Sequence, residues 1–213
     1  MRSRFSLLLN VFTAVSLLIS TLVALPINAK PTTPVIVIFG DSLSAAYGIP
    51  QNLGWVALLQ QRLQEKNLNH QVINASISGE TTSGGVSRFA NMLKLQKPDI
   101  VVIELGGNDG LRGLSAVDTR NNLETMIKEA KASKAKVLLV GMKIPPNYGL
   151  KYSRQFSENY QSLAKEYGIA LVPFLLENVA GKPDLIQADG LHPTATAQSQ
   201  LLENVWPRLL KML

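Results

Sequence analysis

Residues Val35 to Ser44 read VIVIFGDSLS, and this stretch sets the architecture of the whole chain. Its first five residues are apolar and mostly β-branched, in a run too short for a helix of normal length, which favours a strand. A strand without polar alternation is typical of a parallel sheet buried on both faces. The polar residues that follow the run therefore lie at the carboxyl end of the strand, where ligands bind in sheets of this kind.

Similar short apolar runs recur along the chain at Gln71–Asn74, Ile100–Leu105, Val137–Met142 and Ala170–Phe174. They alternate with segments in which apolar residues recur every three or four positions, as on one face of a helix. These segments contain Trp55, Leu58, Leu59 and Leu63; Leu123, Met126, Ile127 and Ala130; Phe156, Tyr160, Leu163, Ala164 and Tyr167; and Ala197, Leu201, Leu202, Val205 and Leu209. Alternating strands and helices predict a three-layer α/β/α domain with a five-stranded parallel sheet and right-handed crossovers.

Length and composition limit the classes of function. A chain of 213 residues with 46% hydrophobic and 17% charged residues is a folded protein of one domain. The net charge of +6 is spread over scattered lysines, so no nucleic-acid partner is expected. The absence of cysteine excludes disulfides, thiolate chemistry and cysteine-ligated zinc. Only two histidines are present, so any general-base histidine must be one of them.

The amino terminus resembles a targeting segment. Arg2 and Arg4 precede a long uncharged apolar stretch that ends near a small-residue cleavage site at Ala29. We predict a signal peptide over residues 1–29, a single domain over residues 30–213, and a periplasmic or secreted protein with no stable membrane insertion after cleavage. The alternative is an uncleaved anchor, because the apolar stretch is longer than the usual signal core.

Polar, glycine-rich segments follow three of the predicted strands, and a fourth lies before the last helix: Gly40–Ser44, Ala75–Thr81, Gly106–Gly110 and Asp189–Pro193. Because the carboxyl ends of parallel strands meet at one edge of the sheet, we expect these segments to converge there.

These segments supply the residues of a candidate catalytic triad. A serine hydroxyl is a poor nucleophile until a base accepts its proton, and His192 is the candidate base for Ser42. Asp189, three residues before His192, can fold back and hold the tautomer that leaves Nε2 free. We expect Ser42 to begin a helix, whose positive N-terminus favours a developing negative charge. The alternative to a nucleophile is that Ser42 only caps a helix. The other histidine, His70, is expected to be a solvated loop residue.

The oxyanion that forms during acyl transfer needs hydrogen-bond donors that are already in position. The backbone N–H groups of Ser42 and Gly79 and the side-chain amide of Asn108 are the candidates. Glycines near these positions permit the close backbone approach that such a site requires.

The four segments together resemble the sequence blocks of the SGNH, or GDSL, hydrolase superfamily. The matching residues are Gly40-Asp41-Ser42-Leu43-Ser44, Gly79, Gly107-Asn108-Asp109 and Asp189-x-x-His192, in order from about residue 35 to the C-terminus. The longer strings Glu104–Gly113 and Pro146–Gly149 are similar to the family's bacterial periplasmic esterases and thioesterases.

This resemblance implies a flavodoxin-like sheet of order 2-1-3-4-5, no metal or other cofactor, and the roles given above for Ser42, Gly79, Asn108 and His192. In the family, the loops that follow the third and fourth strands border the acyl groove. Leu111, Leu114 and Ile144 are therefore predicted to line an apolar substrate channel. The alternative is that the leucines pack locally beneath their loop.

The predicted function is a serine acyl hydrolase that acts as a monomer on a small-molecule acyl ester or thioester, with lysophospholipids among the candidate substrates. Two alternatives stay open, a carbohydrate O-deacetylase with the same machinery and a non-catalytic flavodoxin-like module that binds FMN or another small ligand. No G-x-G-x-x-G follows the first strand, which argues against a dinucleotide site. No G-x-S-x-G surrounds Ser42, which argues against the α/β-hydrolase fold.

Overall fold

The computed structural model describes residues 33–213, and the predicted signal peptide lies outside them. Five strands form one parallel sheet in the order β2-β1-β3-β4-β5, as expected. The strands are β1 Val35–Gly40, β2 Gln71–Asn74, β3 Ile100–Glu104, β4 Lys136–Val140 and β5 Ala170–Val172. The predicted α/β architecture is confirmed, although the last three strands end one or two residues earlier than the apolar runs.

Helices cover both faces of the sheet. They are α1 Trp55–Glu65, α2 Thr82–Gln96, α3 Gly107–Leu111, α4 Ala116–Ala132, α5 Leu150–Tyr167 and α6 Gln198–Leu209. The chain passes from β1 to β2 in one direction and from β2 to β3 in the other, so right-handed crossovers put α1 and α2 on opposite faces. Helix α1 packs against α6, while α4 packs between α2 and α5. Within residues 33–213, no helix is both long and apolar enough to cross a membrane.

The two central strands form the core of the molecule. Every residue of β3 is buried, as is every residue of β1 after Val35, which explains their continuous apolar sequence. Phe39 on β1 meets Phe89 on α2 edge to face, with ring centroids 4.8 Å apart. Burying a side chain of this size contributes about 1.5–3 kcal/mol.

Helix α2 is an element that the sequence patterns did not identify. Its buried residues include Gly85, Phe89, Met92 and Leu93, and they follow helical spacing. The stripe is hard to recognise because it begins with a glycine. A Cβ at Gly85 would stand 2.6 Å from a methyl group of Leu105, so a glycine is what allows α2 to approach the sheet.

The loop after β1 differs from the expected helix. Residues 41–49 form turns and bends, and helix α1 begins only at Trp55. Ala46 and Gly48 have φ angles of 59° and 74°, in the left-handed region, and this backbone cannot continue a right-handed helix. The prediction that Ser42 begins a helix is therefore wrong, and the loop itself supplies no helix dipole at the Ser42 hydroxyl.

Candidate active site

Ser42, His192 and Asp189 lie in one hydrogen-bonded row. The Oγ of Ser42 is 2.9 Å from Nε2 of His192, and Nδ1 of His192 is 2.6 Å from Oδ2 of Asp189. Ser42 belongs to the loop after β1, and the other two belong to the loop before α6. The fold thus brings together residues 150 positions apart in the sequence.

The carboxylate of Asp189 fixes the state of the imidazole. Its Oδ1 accepts the backbone N–H groups of Leu191 and His192 at 2.9 and 3.0 Å, which holds the carboxylate against the ring. These two bonds, followed by the bond to the His192 side chain, lower the pKa of Asp189 to about 2. The carboxylate is therefore ionised near neutral pH and favours a proton on Nδ1, which leaves Nε2 free to accept the proton of Ser42.

Two residues outside the predicted site, Gln187 and Tyr47, hold the loop of His192. The Nε2 of Gln187 donates to the backbone oxygens of Tyr47 and Pro193, both at 2.9 Å. The ring of Tyr47 lies against the imidazole, with centroids 4.4 Å apart. Neither residue belongs to a sequence block, and only the folded chain brings them beside the histidine.

The three expected oxyanion donors have different surroundings. The N–H groups of Ser42 and Gly79 have no acceptor among residues 33–213 and are free to bind one. The amide nitrogen of Asn108 donates to Oδ2 of Asp41 at 3.1 Å and to the backbone oxygen of Glu80 at 2.9 Å. Asn108 is thus held between the first two loops of the site.

Buried polar contacts fix the segment that carries Asn108. Asp109 is 2% exposed and accepts hydrogen bonds from both N–H and Oγ1 of Thr82, at 2.9 and 2.5 Å. These bonds join the first turn of α3 to the first turn of α2. Arg112, just after α3, donates to the backbone oxygen of Gly79 at 3.0 Å. The loops of Gly79 and Asn108 therefore hold each other in place.

Two buried carboxyl groups lie beneath the serine loop. Asp41 is 1% exposed, and burial is the main cause that raises its pKa to about 6. Glu104 is fully buried, and burial together with the neighbouring Asp41 raises its pKa well above the ordinary value. Ser44 Oγ donates to Oε2 of Glu104 at 2.6 Å. No sequence pattern indicates a role for Glu104, because a carboxyl group at the end of an apolar strand has no distinctive spacing.

A cleft of about 380 Å³ opens beside Ser42, Asn108 and His192. Leu111 and Ile144 line it, whereas Leu114 does not. Most of the remaining wall is apolar and includes Met142, Phe174, Leu176, Ile186 and Leu191.

Leu114 lies outside the cleft because its loop turns back. Gly113 has a φ angle of 66°, and the N–H of Leu114 then returns to the backbone oxygen of Asp109 at 2.9 Å. The side chain of Leu114 is 42% exposed. In residues 33–213, no group of three or more His, Asp or Glu side chains is arranged to hold a metal ion.

Comparison with known proteins gives consistent results. A profile of the GDSL-like lipase/acylhydrolase family matches residues 38–199. Esterase TesA of Pseudomonas aeruginosa is 48% identical over 199 residues, which cover 93% of this chain and 99% of that protein. Thioesterase 1/protease 1/lysophospholipase L1 of Escherichia coli K12 is 44% identical over 163 residues, 76% of this chain and 77% of that protein.

A solved structure extends the comparison to three dimensions. The psychrotrophic esterase EstA from Pseudoalteromonas sp., inhibited by monoethylphosphonate, superimposes with a TM-score of 0.80 and 40% identity. The match covers 83% of this chain and 97% of that chain.

Proposed function

Because the chain belongs to the GDSL-like lipase/acylhydrolase family, we propose that it hydrolyses carboxylic esters and thioesters through an acyl-serine intermediate. The observation that carries the proposal is the hydrogen-bonded row of Ser42, His192 and Asp189, with contacts of 2.9 and 2.6 Å. The relatives named as an esterase and as a thioesterase and lysophospholipase support the substrate class of acyl esters and thioesters, lysophospholipids included.

In the proposed reaction, Ser42 Oγ attacks the carbonyl carbon while its proton passes to Nε2 of His192. Asp189 stabilises the imidazolium that forms and keeps its orientation. His192 then gives the proton to the leaving alcohol or thiol as the carbon–oxygen or carbon–sulfur bond breaks. In the second half, His192 takes a proton from water, the resulting hydroxyl attacks the acyl-serine, and the proton returns to Ser42.

The negative oxygen of the tetrahedral stage is assigned to three donors: the N–H groups of Ser42 and Gly79 and the amide of Asn108. The two backbone groups have no acceptor within residues 33–213, which suits donors that are ready for a transition state. The amide of Asn108 makes two contacts, and the one to Asp41 is the longer. We assign the N–H of that contact as the donor that Asp41 shares with the oxyanion.

The apolar part of the cleft is assigned to the acyl chain. Leu111 and Ile144 border the same cleft as the reacting serine, and an apolar wall favours acyl groups longer than acetyl. Burial of each methylene group contributes about 0.8 kcal/mol. Leu114, outside the cleft, has no part in this assignment.

We also propose that residues 1–29 are a signal peptide and that the mature protein acts in the periplasm or outside the cell as a monomer. The basic residues and the apolar stretch of that segment support export. Detection of a mature amino terminus at Lys30 in the exported protein tests this assignment.

The catalytic assignment is tested with a fluorophosphonate probe and p-nitrophenyl esters. Ser42→Ala should abolish labelling, and both Ser42→Ala and His192→Ala should lower kcat by about 10³-fold or more, because the two act as one unit. Ser83→Ala, at an exposed serine on α2, and His70→Ala, at the other histidine, are the matched controls and should retain activity. A Ser42→Ala variant with more than about a tenth of wild-type turnover would place the nucleophile elsewhere.

The same preparations separate the alternative functions. Faster release of acetate from acetylated sugars than of longer acids from acyl esters would favour an O-deacetylase. A protein that is not labelled, hydrolyses no ester and binds FMN would be a binding module.

A further inference from the structure

Glu104 occupies a position that the proposed reaction does not explain. It is fully buried at the end of β3, directly beneath the loop that carries Ser42. Its Oε2 accepts the Oγ–H of Ser44 at 2.6 Å and lies 3.4 Å from the N–H of Asp41. Its Oε1 is buried without a hydrogen-bond partner in the described part of the chain. A buried carboxylate oxygen with no partner is costly, whereas a neutral carboxyl group loses much less on burial.

The two adjacent carboxyl groups are not equivalent. Asp41 accepts the N–H of Leu43 at 3.0 Å and the amide of Asn108 at 3.1 Å, and it attracts His192 when the imidazole is protonated. These contacts favour the ionised form of Asp41. Glu104 has one carboxyl oxygen without a partner among the described residues, and its pKa is raised further than that of Asp41, so the first negative charge belongs to Asp41 and the proton to Glu104.

We propose that Glu104 is a positioning residue for the acyl transfer and acts as a neutral acid that fixes the serine loop from below. It holds Ser44 and the backbone of Asp41, on either side of Ser42, and it leaves the negative charge on Asp41. There the charge orients the Asn108 amide and faces His192 as the imidazolium forms. This inference rests on the proposed function, because it assigns Glu104 a part in that reaction.

Ionisation of Glu104 should therefore lower the rate of acyl transfer. It would add a second negative charge beside Asp41, beneath the place where the oxyanion develops, and would weaken the oxyanion's stabilisation. Burial and the adjacent Asp41 raise the pKa of Glu104 well above its ordinary value, so we expect Glu104 to ionise after Asp41 as the pH rises, on the alkaline limb of the activity profile.

Two other groups near Glu104 do not account for such an alkaline loss. The pKa of Asp41 is about 6, so Asp41 is already ionised before the alkaline range. Tyr160 on α5 interacts electrostatically with Glu104 and Asp109, and burial raises its pKa well above the ordinary tyrosine value. Its hydroxyl donates to the backbone oxygen of Leu105 and stays neutral.

The test is the pH dependence of kcat and KM for p-nitrophenyl butyrate, corrected for spontaneous hydrolysis. Glu104→Ala should lower kcat by about tenfold or more with little change in KM, since small displacements of a reacting group are costly. Glu104→Gln, which has the same shape and cannot ionise, should restore most of that loss and should lack the alkaline decline of the wild type. Glu158→Gln, at an exposed glutamate on α5, is the control and should reproduce the wild-type profile.

Ser44→Ala provides a second variant that leaves Glu104 in place. The Ser44 hydroxyl stabilises the ionised form of Glu104 and lowers its pKa, so its removal should shift the alkaline decline to higher pH. The inference is overturned if Glu104→Gln keeps the wild-type decline, or if neither Ser44→Ala nor Glu104→Ala changes the profile. Absence of esterase activity and of fluorophosphonate labelling in the wild type would instead overturn the proposed function.

Discussion

Asn108 shows how single side chains in this site depend on one another. Its amide is held by the carboxylate of Asp41 on one loop and by the backbone of Glu80 on another. The same carboxylate attracts His192 when the imidazole is protonated, so the oxyanion donor and the base are influenced by one buried charge. Substitution of any of these residues is therefore expected to have effects beyond the loss of one hydrogen bond.

Asn108→Ala should reduce kcat by about 10²- to 10³-fold, equivalent to roughly 2.7–4 kcal/mol, and leave KM nearly unchanged. The reason is that the amide meets a charge that exists only at the tetrahedral stage. Steady-state kinetics with a p-nitrophenyl ester will measure both constants, and thermal unfolding will verify that the variant is folded. A variant in which only KM rises would make Asn108 a substrate-binding residue instead.

Among the elements, the segment from α3 to the following turn both positions Asn108 and forms part of the cleft wall. Asp109 ties its start to α2, and Leu111 at its end faces the cleft. Gly110 lies so close to Ile144 that a Cβ at this position would clash with the isoleucine side chain. The donor Asn108 and the apolar wall are thus parts of one short, tightly packed element.

Leu111→Ser should flatten the dependence of kcat/KM on acyl chain length and spare hydrolysis of acetyl esters. Each buried methylene contributes about 0.8 kcal/mol, so an intact apolar wall should raise specificity several-fold for every two carbons until the cleft is full. A series of p-nitrophenyl esters from acetyl to dodecanoyl measures this dependence.

Leu114→Ser is the matched control for Leu111, because Leu114 lies three residues away and outside the cleft. It should keep the wild-type dependence on chain length. Equal losses at every chain length in Leu111→Ser would show that Leu111 supports the fold rather than the acyl chain.

For the molecule as a whole, the carboxyl groups of the site divide into two kinds with opposite effects on stability. The pKa of Asp189 is lowered to about 2 by the N–H groups of its turn. The ionised carboxylate therefore stabilises the fold, and this stabilisation is lost only as the pH falls below the ordinary pKa of an aspartate toward 2. The pKa of Asp41 is raised to about 6 from an ordinary 3.8, mainly by burial. Its ionisation disfavours the folded state, so stability is lost as the pH rises from about 4 through 6.

The free energy of unfolding should therefore decrease more between pH 4 and 7 in the wild type than in Asp41→Asn. The decrease in the wild type should exceed that in Asp41→Asn by at most about 3 kcal/mol, since each pKa unit corresponds to about 1.36 kcal/mol. Urea unfolding at several pH values measures it. Asp118→Asn, at an exposed residue of α4, should follow the wild-type slope. Parallel curves for wild type and Asp41→Asn would mean that burial does not disfavour the Asp41 carboxylate.

Local patterns were sufficient for the framework of the fold. Continuous apolar runs such as Val35–Phe39 identified the strands, since both faces of the sheet are covered. The strand pattern also predicted the position of the site, because the carboxyl ends of parallel strands lie at the same edge of the sheet. Helix α2 was not predicted because the first position of its apolar stripe is Gly85. The helix expected at Ser42 is absent because Ala46 and Gly48 adopt left-handed backbone.

The sequence itself determined which groups can react, since the chemistry of a serine, a histidine and an aspartate is a property of the side chains. Their spacing along strands and loops was enough to predict that Ser42, Asp189 and His192 meet. Only the tertiary structure decided the surroundings of those groups. The burial of Glu104, the contact of Tyr47 with His192 and the exclusion of Leu114 from the cleft depend on residues distant in the chain. Desolvation and packing are set by all neighbours at once, and local sequence patterns do not record them.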